Sequence, residues 1–502
     1  MLTGSWQRIG ALLHDKGLRF TFYKVYHAMG DMVRAISAAR HFGLSAAETT
    51  ELQQMLPPVP PLVSVLVPLY SPPEEFLRPM LESVLAQVYP VWELCLADGS
   101  PDGDKQAELV CRDYVDKDGR IHYKRLQGNL GIAGNSNASA AMASGEYLLL
   151  LDQDDLLHPA AIARLIQAAL AGADFVYADE AVFSRSILYP RRVHWKQGFS
   201  LIDLLANNYI CHPALFSARL FRRGGGFREG FDGSQDHELF LRLTSMAEHV
   251  QHVAQVLYFW RSHVGSVAAG IAAKPYAREA GLRAVRSFLM AAGREVQVSE
   301  AAPSVYRVQW RLREPEVGFS VIVLGKRERK NCQHLLRLLA ACADAREVLV
   351  VENAMALRQA LYTAQQPYVL LLRGDMLPQG AIGPMLRELL SLVQQPDIGL
   401  VGSVLLRGRK ICSAGWSSTA KIAGRVSSGV WRANGVGMDG SSEGYMRRLL
   451  YTHAVDGLET WGTVGRREYL QELLAADREI LTLPRGKVYL TPYSRWRMGG
   501  DA

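Results

Sequence analysis

The sequence has no long apolar run and few cysteines, and each absence excludes a class of protein. No stretch reaches the roughly 18 apolar residues that a membrane-spanning helix requires, and Met1 to Phe20 lacks the apolar centre of a signal peptide. We therefore expect a cytoplasmic protein. The 6 cysteines are scattered and form no C-x-x-C pair, so the sequence predicts neither a zinc site nor a disulfide framework.

The overall composition is that of a globular protein with more than one domain. The chain has 502 residues, of which 49% are hydrophobic and 21% charged, which is enough for two or three domains with sizeable cores. The net charge of +7 permits contact with phosphates or an anionic membrane face, although many soluble enzymes are as basic. No basic stripe interleaved with aromatic residues indicates a nucleic-acid partner.

Residues 1–60 are predicted to be a helical segment that ends in a stiff linker. Apolar residues recur at helical spacing from Trp6 to Leu13 and again from Asp31 to Phe42. We favour packing of these helices on the next domain over binding to a membrane surface. The proline cluster from Pro57 to Pro61 marks the domain boundary.

An apolar run followed by an acidic turn is the main candidate for a functional site. The run Tyr147 to Leu151 is typical of a strand buried on both faces, and Asp152, Asp154 and Asp155 follow it directly. Carboxylates this close resist joint ionisation, so a cation is expected beside them, and hard oxygen ligands favour Mg²⁺ or Mn²⁺. The alternative is a solvated turn in which Asp155 caps the next helix.

The residues before this turn predict the start of a doubly wound sheet. Val63 to Pro68 has the pattern of a buried parallel strand, a helical pattern runs from Leu77 to Leu85, and a second strand runs from Trp92 to Ala97. Asp98 then precedes a Gly-Ser turn. Its carboxylate could accept a hydrogen bond from a nucleotide base or cap the turn.

Ordered blocks between about residues 62 and 290 resemble a family 2 glycosyltransferase with a GT-A fold. The resemblance is closest to bacterial enzymes that build O-antigen, capsule or related envelope polysaccharides. One departure is Ala97, where the family usually has a second acidic residue before Gly-Ser. The matching blocks begin at Val63, Glu82, Ala97, Asn129, Gly145, Asp152, Tyr177, Asn208, Gly226 and Leu257, and the last ends at His263.

This resemblance implies an inverting, metal-dependent transfer of a sugar from a nucleotide-diphosphate donor to a growing envelope glycan. It implies that Asp154, Asp152 and His263 bind Mn²⁺ or Mg²⁺, with Asp154 in direct coordination and Asp152 on the ribose or a metal-bound water. Asp236, which heads a helical pattern, matches the position of the catalytic base. Glu238 is the second candidate for the base.

The resemblance also implies a set of donor-binding residues and partners. The partners are the nucleotide-sugar donor and a glycan or lipid-linked glycan acceptor. Peripheral contact with the inner membrane and a homodimer stay open. The alternative function is a non-catalytic nucleotide-sugar-binding partner of a polysaccharide assembly complex. The predicted nucleotide-sugar-binding residues are Pro68, Tyr70, Asp98, Asn137, Asp152, Lys196 and Arg261.

The C-terminal third repeats the pattern of the first strands. Phe319 to Leu324 and Glu347 to Asn353 parallel the first two strands, and the run from Tyr368 lies where Tyr147 lies in the first copy. Arg373 replaces the first carboxylate of the acidic turn. We therefore predict a catalytic α/β domain over residues 61–300 and a degenerate GT-A-like α/β domain over residues 315–502.

Overall fold

A computed structural model describes residues 43–263, 275–418, 431–433, 436, 438–439, 445–450, 452–475, 480–481 and 488–499. The helices predicted before residue 43 lie outside the described residues. Contacts divide the chain into a first unit, Met1–Gly198 with Ile210–Ala277, and a second unit, Phe199–Tyr209 with Arg278–Ala502. Residues 278–300, predicted to lie in the catalytic domain, therefore belong by their contacts to the second unit.

The first unit contains a mixed sheet in the order β3-β2-β1-β4-β8-β6-β9-β5, and β7 pairs with β6. The pairs β1–β2, β1–β4, β2–β3 and β6–β9 are parallel, and the other pairs are antiparallel. Its strands are β1 (Val63–Leu69), β2 (Trp92–Asp98), β3 (Ile121–Arg125), β4 (Tyr147–Leu150), β5 (Leu156–Leu157), β6 (Phe175–Phe183), β7 (Arg192–His194), β8 (Ala214–Ser217) and β9 (Val250–Arg261).

Helices cover this sheet, which explains why its strands are apolar on both faces. In the helix Glu74–Leu85 the predicted apolar positions Leu77, Met80, Leu81 and Val84 are all buried. The helices up to the unit boundary are α1 (Ala46–Gln54), α2 (Glu74–Leu85), α3 (Gln106–Val115), α4 (Gly131–Ala140), α5 (Ala161–Leu170), α6 (Leu201–Ala206, in the second unit), α7 (Ala218–Gly224), α8 (Gln235–Met246) and α9 (Pro275–Ala291).

The second unit has a main sheet in the order β13-β12-β14-β22-β16-β24-β15, and β17 and β20 pair with β16 and β24. Its strands are β10 (Val296–Ala302), β11 (Val305–Trp310), β12 (Phe319–Leu324), β13 (Ala345–Val351), β14 (Tyr368–Arg373), β15 (Leu377–Pro378), β16 (Leu400–Arg407), β17 (Lys410–Ser413), β18 (Trp416–Ser418), β19 (Trp431–Ala433), β20 (His453–Ala454), β21 (Leu458–Glu459), β22 (Thr463–Arg466), β23 (Ile480–Leu481) and β24 (Val488–Arg497). Its helices after α9 are α10 (Lys330–Ala340), α11 (Ala354–Thr363), α12 (Ile382–Val393), the 3₁₀ turn Tyr445–Leu450 and α13 (Arg467–Ala475).

The second main sheet repeats the order and directions of the first. Its path β13-β12-β14-β22-β16-β24-β15 matches β2-β1-β4-β8-β6-β9-β5, and each matching pair of neighbours is parallel or antiparallel in both sheets. The described part of the second sheet has no strand in the place of β3. The predicted α/β architecture, with a second α/β region, is confirmed.

A buried serine and glutamate join the amino ends of the first three neighbouring strands. Ser64 Oγ donates to Glu93 Oε1 at 2.6 Å. The backbone N–H of Gly145 donates to Ser64 Oγ at 2.9 Å, and that of Ser144 donates to Glu93 Oε1 at 2.6 Å. The glutamate is thus satisfied although it is buried.

The second unit has the same network at the equivalent positions. Ser320 Oγ donates to Glu347, the backbone N–H of Gln366 donates to Ser320 Oγ at 3.0 Å, and that of Gln365 donates to Glu347 Oε2 at 2.9 Å. Here Glu347 is half-buried, whereas Glu93 is buried, but the same donors and acceptors meet at the same place in both sheets, which indicates structural repetition.

None of the helices that the structure describes is both long and apolar enough to cross a bilayer.

Candidate active site

The acidic turn follows β4 at the carboxyl edge of the first sheet, where ligands bind in open α/β sheets. Asp155 is fully buried, and its carboxylate accepts hydrogen bonds from Tyr258 Oη and the backbone N–H of Arg261, both at 2.6 Å. Burial and the charges of Asp154 and Asp152 raise the pKa of Asp155 well above its usual value. Asp155 therefore ties the turn to β9, which is a third role beside the two that the sequence left open.

Asp154 and His263 form a close pair on the open side of the turn. Asp154 Oδ2 lies 2.8 Å from His263 Nε2, and the two side chains are 21% and 32% exposed. The His263 ring packs on Phe76 with 5.1 Å between ring centroids. Burial and the charge of Asp152 raise the pKa of Asp154, and His263 partly offsets them. The structure thus brings together two of the three predicted metal ligands.

Arg261 is fixed beneath the same turn. Its Nε donates to the backbone oxygen of Asp154 at 2.7 Å, and its guanidinium carbon lies 4.8 and 4.6 Å from the ring centroids of Phe76 and Phe183. Burial lowers the pKa of Arg261. Arg261 thus lies beside the predicted metal ligands, and its contact with the donor stays a prediction.

Asp152 faces a histidine that the sequence analysis did not assign to the site. His212 Nε2 lies 3.4 Å from Asp152 Oδ2, and its ring stacks on Tyr258 at 5.1 Å. Although burial opposes it, the charge of Asp152 raises the pKa of His212 to about 9, and His212 in turn lowers the pKa of Asp152 against the effect of burial. The sequence did contain a signal for this role, because His212 ends the family-like block that begins at Asn208.

Asp236 lies on the side of the site that His212 occupies. It stands in the first turn of α8, where its Oδ1 accepts a hydrogen bond from the backbone N–H of His237 at 2.8 Å, and it is half-buried. After Asp152, the charge of Asp236 is among the causes that raise the pKa of His212, and it also contributes, after burial and Glu180, to the raised pKa of Cys211. The carboxylate is therefore close to the residue that faces Asp152.

Glu238, the second candidate for the base, is engaged elsewhere. It is buried, and its two oxygens accept hydrogen bonds from Arg242 Nε and Nη2, each at 2.6 Å. Arg228 adds a third contact at 3.3 Å. Both oxygens of Glu238 are thus directed at arginine side chains, so the geometry favours Asp236 as the base.

Lys196 does not face the site, and its predicted contact with the donor diphosphate is not supported. Its Nζ donates to Glu180 Oε2 at 2.9 Å and to the carbonyl oxygens of Ile210 and His212 at 2.5 and 2.6 Å. These contacts use all three ammonium hydrogens. Although burial opposes it, the charge of Lys196, followed by that of His194, lowers the pKa of Glu180 to about 2.

Asp98 holds the Gly-Ser turn and is saturated by protein donors. It is fully buried. Its Oδ1 accepts from the backbone N–H of Ser100 at 2.9 Å, and its Oδ2 accepts from Tyr123 Oη at 2.7 Å and Arg125 Nη1 at 2.8 Å. Ser100 Oγ then accepts from the backbone N–H of Ser71 at 2.8 Å. Of the two roles that the sequence left open for Asp98, this geometry matches the cap of the Gly-Ser turn and not the hydrogen bond to a nucleotide base.

Asn137, predicted to bind the nucleotide-sugar, instead holds the loop after α7. Its Nδ2 donates to the backbone oxygen of Phe227 at 2.8 Å, and its Oδ1 accepts from the backbone N–H of the same residue at 2.9 Å. Both ends of the amide are therefore used within the protein, and the side chain positions the loop that precedes α8.

The loop after β1 is fastened to the acidic turn by a residue that the sequence analysis did not name. Gln153 Oε1 accepts from the backbone N–H of Tyr70 at 2.8 Å, and Gln153 Nε2 donates to the Tyr70 oxygen at 3.2 Å. The Tyr70 side chain is 48% exposed, and Pro68 is half-buried at the end of β1. Tyr70 is thus available to a ligand at this edge, and Pro68 shapes the strand end.

The second unit replaces the acidic turn with an internal ion pair. Tyr147 lies opposite Val63, and Tyr368 lies opposite Phe319, the first residue of β12. Counting from these tyrosines, Arg373 takes the place of Asp152, and Asp375 takes that of Asp154. Arg373 Nε and Nη2 bind the two oxygens of Asp375 at 3.0 and 2.6 Å.

The donor set of the first unit fits a hard divalent cation. Among the described residues, no group of three His, Cys, Asp or Glu side chains is placed to hold a metal ion. The Asp154–His263 separation of 2.8 Å is nevertheless close to the roughly 3 Å between neighbouring ligands of an octahedral ion with bonds of about 2.1 Å. Such ions commonly take their remaining ligands from water and substrate phosphates.

Comparison with known proteins finds a family match over part of the residues that form this site. The family model "Glycosyl transferase family 2" matches residues 64–225. An uncharacterized protein, y4gI, of Sinorhizobium fredii is 39% identical over 50% of this chain and 28% of its own length. The O-antigen biosynthesis protein RfbC of Myxococcus xanthus is 30% identical over 69% of this chain and 29% of its own length. This chain therefore spans less than a third of the length of these two curated relatives.

A solved structure similar to part of the chain is S. aureus TarS 1–349 in complex with UDP-GlcNAc. It has a TM-score of 0.37 and 17% sequence identity, and the match covers 45% of this chain and 66% of that one.

Proposed function

Because residues 64–225 are a family 2 glycosyltransferase domain, we propose that this chain is an inverting, metal-dependent transferase. It moves a sugar from a nucleotide-diphosphate donor to a growing bacterial envelope glycan such as O-antigen or capsule. The observation that carries the proposal is the Asp154–His263 pair at the carboxyl end of β4, whose facing atoms lie 2.8 Å apart. The match to an O-antigen biosynthesis protein over 69% of the chain supports the class of product.

Asp154 and His263 would hold Mn²⁺ or Mg²⁺, and Asp152 would bind the donor ribose or a metal-bound water. The cation supplies positive charge to a leaving diphosphate. Arg261 adds a second positive charge, and its packing between two phenylalanine rings keeps it oriented toward the turn. Gln153 fixes Tyr70, so that the loop after β1 forms one wall of the donor site.

Asp236 acts as the general base. The acceptor hydroxyl oxygen forms a bond to the anomeric carbon of the donor sugar, and the bond from that carbon to the phosphate oxygen breaks. The bonding electron pair leaves with the nucleoside diphosphate, and the hydroxyl proton goes to the Asp236 carboxylate. Attack opposite the leaving group inverts the anomeric centre. Glu238 is engaged by Arg242 through both of its oxygens, so Asp236 is the carboxylate to which we assign this role.

The second unit serves the proposed enzyme without catalysing transfer. Arg373 neutralises Asp375, so the position that binds a cation in the first unit already carries a positive side chain in the second. We regard it as a degenerate copy of the transferase domain, as the sequence predicts.

A donor-panel assay tests the proposal. The full chain is incubated with Mn²⁺ and, one at a time, with UDP-, GDP-, dTDP- and CMP-linked sugars, and release of free nucleotide is measured. We expect one diphosphate donor to be consumed, with the release abolished by chelation and restored by Mn²⁺. Absence of turnover with every donor, together with donor binding that does not respond to Mn²⁺, would favour the non-catalytic binding partner.

A further inference from the structure

The carboxyl edge of the second main sheet is rich in cations. The strands β12, β14, β16 and β24 all end at this edge, because β14 and β16 are each antiparallel to β22 and β24 is parallel to β16. The basic residues at or just beyond these four strand ends are Lys326, Arg327, Arg329, Lys330, Arg373, Arg407, Arg409, Lys410, Arg495 and Arg497.

The densest part of this basic edge is the loop between β12 and α10. Lys326, Arg327, Arg329 and Lys330 stand within five consecutive residues, and all four are exposed. The backbone N–H of Gly325 donates to the oxygen of Val351 at 2.8 Å, which places the start of the loop beside the end of β13. The exposed Glu328 stands between them, so the segment carries a net charge of +3, which creates a positive local field.

The equivalent loop of the first unit has the opposite charge. Glu74 and Glu75 follow β1 there, and Asp152 and Asp154 follow β4. In the second unit the acidic residues at the edge are fewer than the basic ones, and one of them, Asp375, is paired with Arg373. The edge that is acidic in the first unit is therefore basic in the second.

The shape of the basic edge fits an extended anionic surface better than a small ligand. From β12 to β24 the sheet order has four spacings, which is about 19 Å at roughly 4.8 Å each. Most of these cations lie on loop tips and strand ends and are exposed, whereas Arg373 and Arg495 are half-buried. Met355, the second residue of α11, follows the end of β13 at the same edge, is 82% exposed and adds an apolar group among the charges.

We propose that this basic edge docks the protein on an anionic lipid membrane. Basic clusters of this size bind anionic headgroups, and an exposed apolar side chain beside them can enter the interface. The inference goes beyond the proposed function, because membrane binding requires no transfer reaction. Membrane binding would give the second unit a role that does not require the pair of carboxylates found in the acidic turn of the first unit.

Each basic residue near an anionic surface strengthens binding roughly fivefold. Neutralising the four cations of the β12–α10 loop is therefore expected to weaken vesicle binding by a factor on the order of a hundred to a thousand. High salt is expected to release the wild-type protein, since the Debye length falls to about 3 Å at 1 M.

The experiment is co-sedimentation of the full chain with vesicles. One set contains phosphatidylglycerol and phosphatidylcholine, and the other contains phosphatidylcholine alone. The test variant is Lys326→Gln/Arg327→Gln/Arg329→Gln/Lys330→Gln. A second variant, Arg407→Gln/Arg409→Gln/Lys410→Gln, changes the far end of the same edge.

The matched control removes four exposed positive charges away from this edge. It is Arg294→Gln/Arg313→Gln/Arg337→Gln/Arg346→Gln, which has the same net charge as the test variant. We expect the wild type and the control to bind only phosphatidylglycerol vesicles and both edge variants to bind them weakly. Donor turnover, measured without vesicles, is expected to stay unchanged in the edge variants, so that failure of this proposal is distinguishable from failure of the proposed function.

Three results would overturn the proposal. Equal binding by the edge variants and the control would place any membrane contact elsewhere. Equal binding of the wild type to both vesicle types would show that anionic lipid is not recognised. Binding of the wild type to a soluble uronic-acid polymer but not to phosphatidylglycerol vesicles would assign the edge to an acidic glycan.

Discussion

Replacing Lys196 by methionine separates a structural role from a donor-binding role. The ammonium group lies against Glu180, Ile210 and His212, and the side chains of Lys196 and Glu180 are each 1% exposed. Methionine keeps much of the length of the side chain but removes its charge and all three hydrogen bonds. Glu180 is then left buried without its cation, although His194 and the backbone N–H of His212 still contact its oxygens at 2.7 and 3.3 Å.

The expected loss of stability follows from the cost of an uncompensated buried charge. Removing one partner of a buried ion pair destabilises a protein by about 3–5 kcal/mol. In a unit of about 270 residues, an unfolding entropy of roughly 2.1 cal/mol/K per residue converts this to a fall in Tm of about 5–9 °C. The double variant Lys196→Met/Glu180→Gln removes both charges, and we expect it to regain part of the loss.

The assay combines calorimetric unfolding with donor titration below the transition. We expect Lys196→Met to show the lower Tm and near-normal donor affinity, and the exposed control Lys124→Met to stay within about 0.5 kcal/mol of the wild type. An unchanged Tm together with a large loss of donor affinity would refute the structural role. Lys196 would then contact the diphosphate, as the sequence analysis predicted.

Three further predictions follow from the geometry of the first unit. Asp236→Asn is expected to slow transfer about a hundred- to ten-thousandfold while donor and Mn²⁺ affinity change less than a few-fold. Glu238→Gln is expected to lower Tm instead. If Asp236→Asn lost donor affinity in parallel with rate, Asp236 would not be the base. The pKa of Glu180 is about 2 in the folded protein, below the ordinary value of 4.5 for a glutamate. This shift adds about 3 kcal/mol of stability above pH 4.5 that is lost as the pH falls toward 2. Denaturant midpoints that are flat over this range would contradict the prediction. Gln153→Ala removes the two hydrogen bonds that hold the Tyr70 backbone and is expected to raise KM for the donor roughly three- to tenfold with little change in kcat. An unchanged KM would show that these hydrogen bonds are not needed for donor binding.

Local patterns in the sequence were sufficient to predict the framework of the first unit. The strands Val63–Leu69 and Trp92–Asp98 and the helix Gln235–Met246 begin at or next to the residues predicted, because apolar runs and helical spacing are local signals. The acidic turn was equally accessible, since three carboxylates after an apolar run have few structural explanations. Its partner His263 came from the family resemblance, and the structure places it 2.8 Å from Asp154.

Predictions that depended on where a polar side chain points were less successful. Asp98 and Asn137 lie in blocks that resemble the family, but both side chains are used up by protein groups. The partners of Asp155 are about a hundred residues away on β9, and no local pattern predicts that contact. The sequence also did not predict that residues 199–209 belong to the second unit. Asp203 in this segment accepts a hydrogen bond from the backbone N–H of Ala454, which is about 250 residues away.

The measurement that tests the central claim most directly compares the same substitution in the two units. Asp154→Asn and Asp375→Asn each remove one carboxylate at equivalent positions, and transfer and Mn²⁺-dependent donor binding are measured for both variants. We expect Asp154→Asn to lose transfer by at least about a hundredfold, together with the Mn²⁺ dependence of donor binding, because it removes a direct ligand of the cation. We expect Asp375→Asn to retain both properties, because its carboxylate is already paired with Arg373. Near-normal transfer by Asp154→Asn, or loss of donor binding in Asp375→Asn, would contradict the assignment of the active site to the first unit.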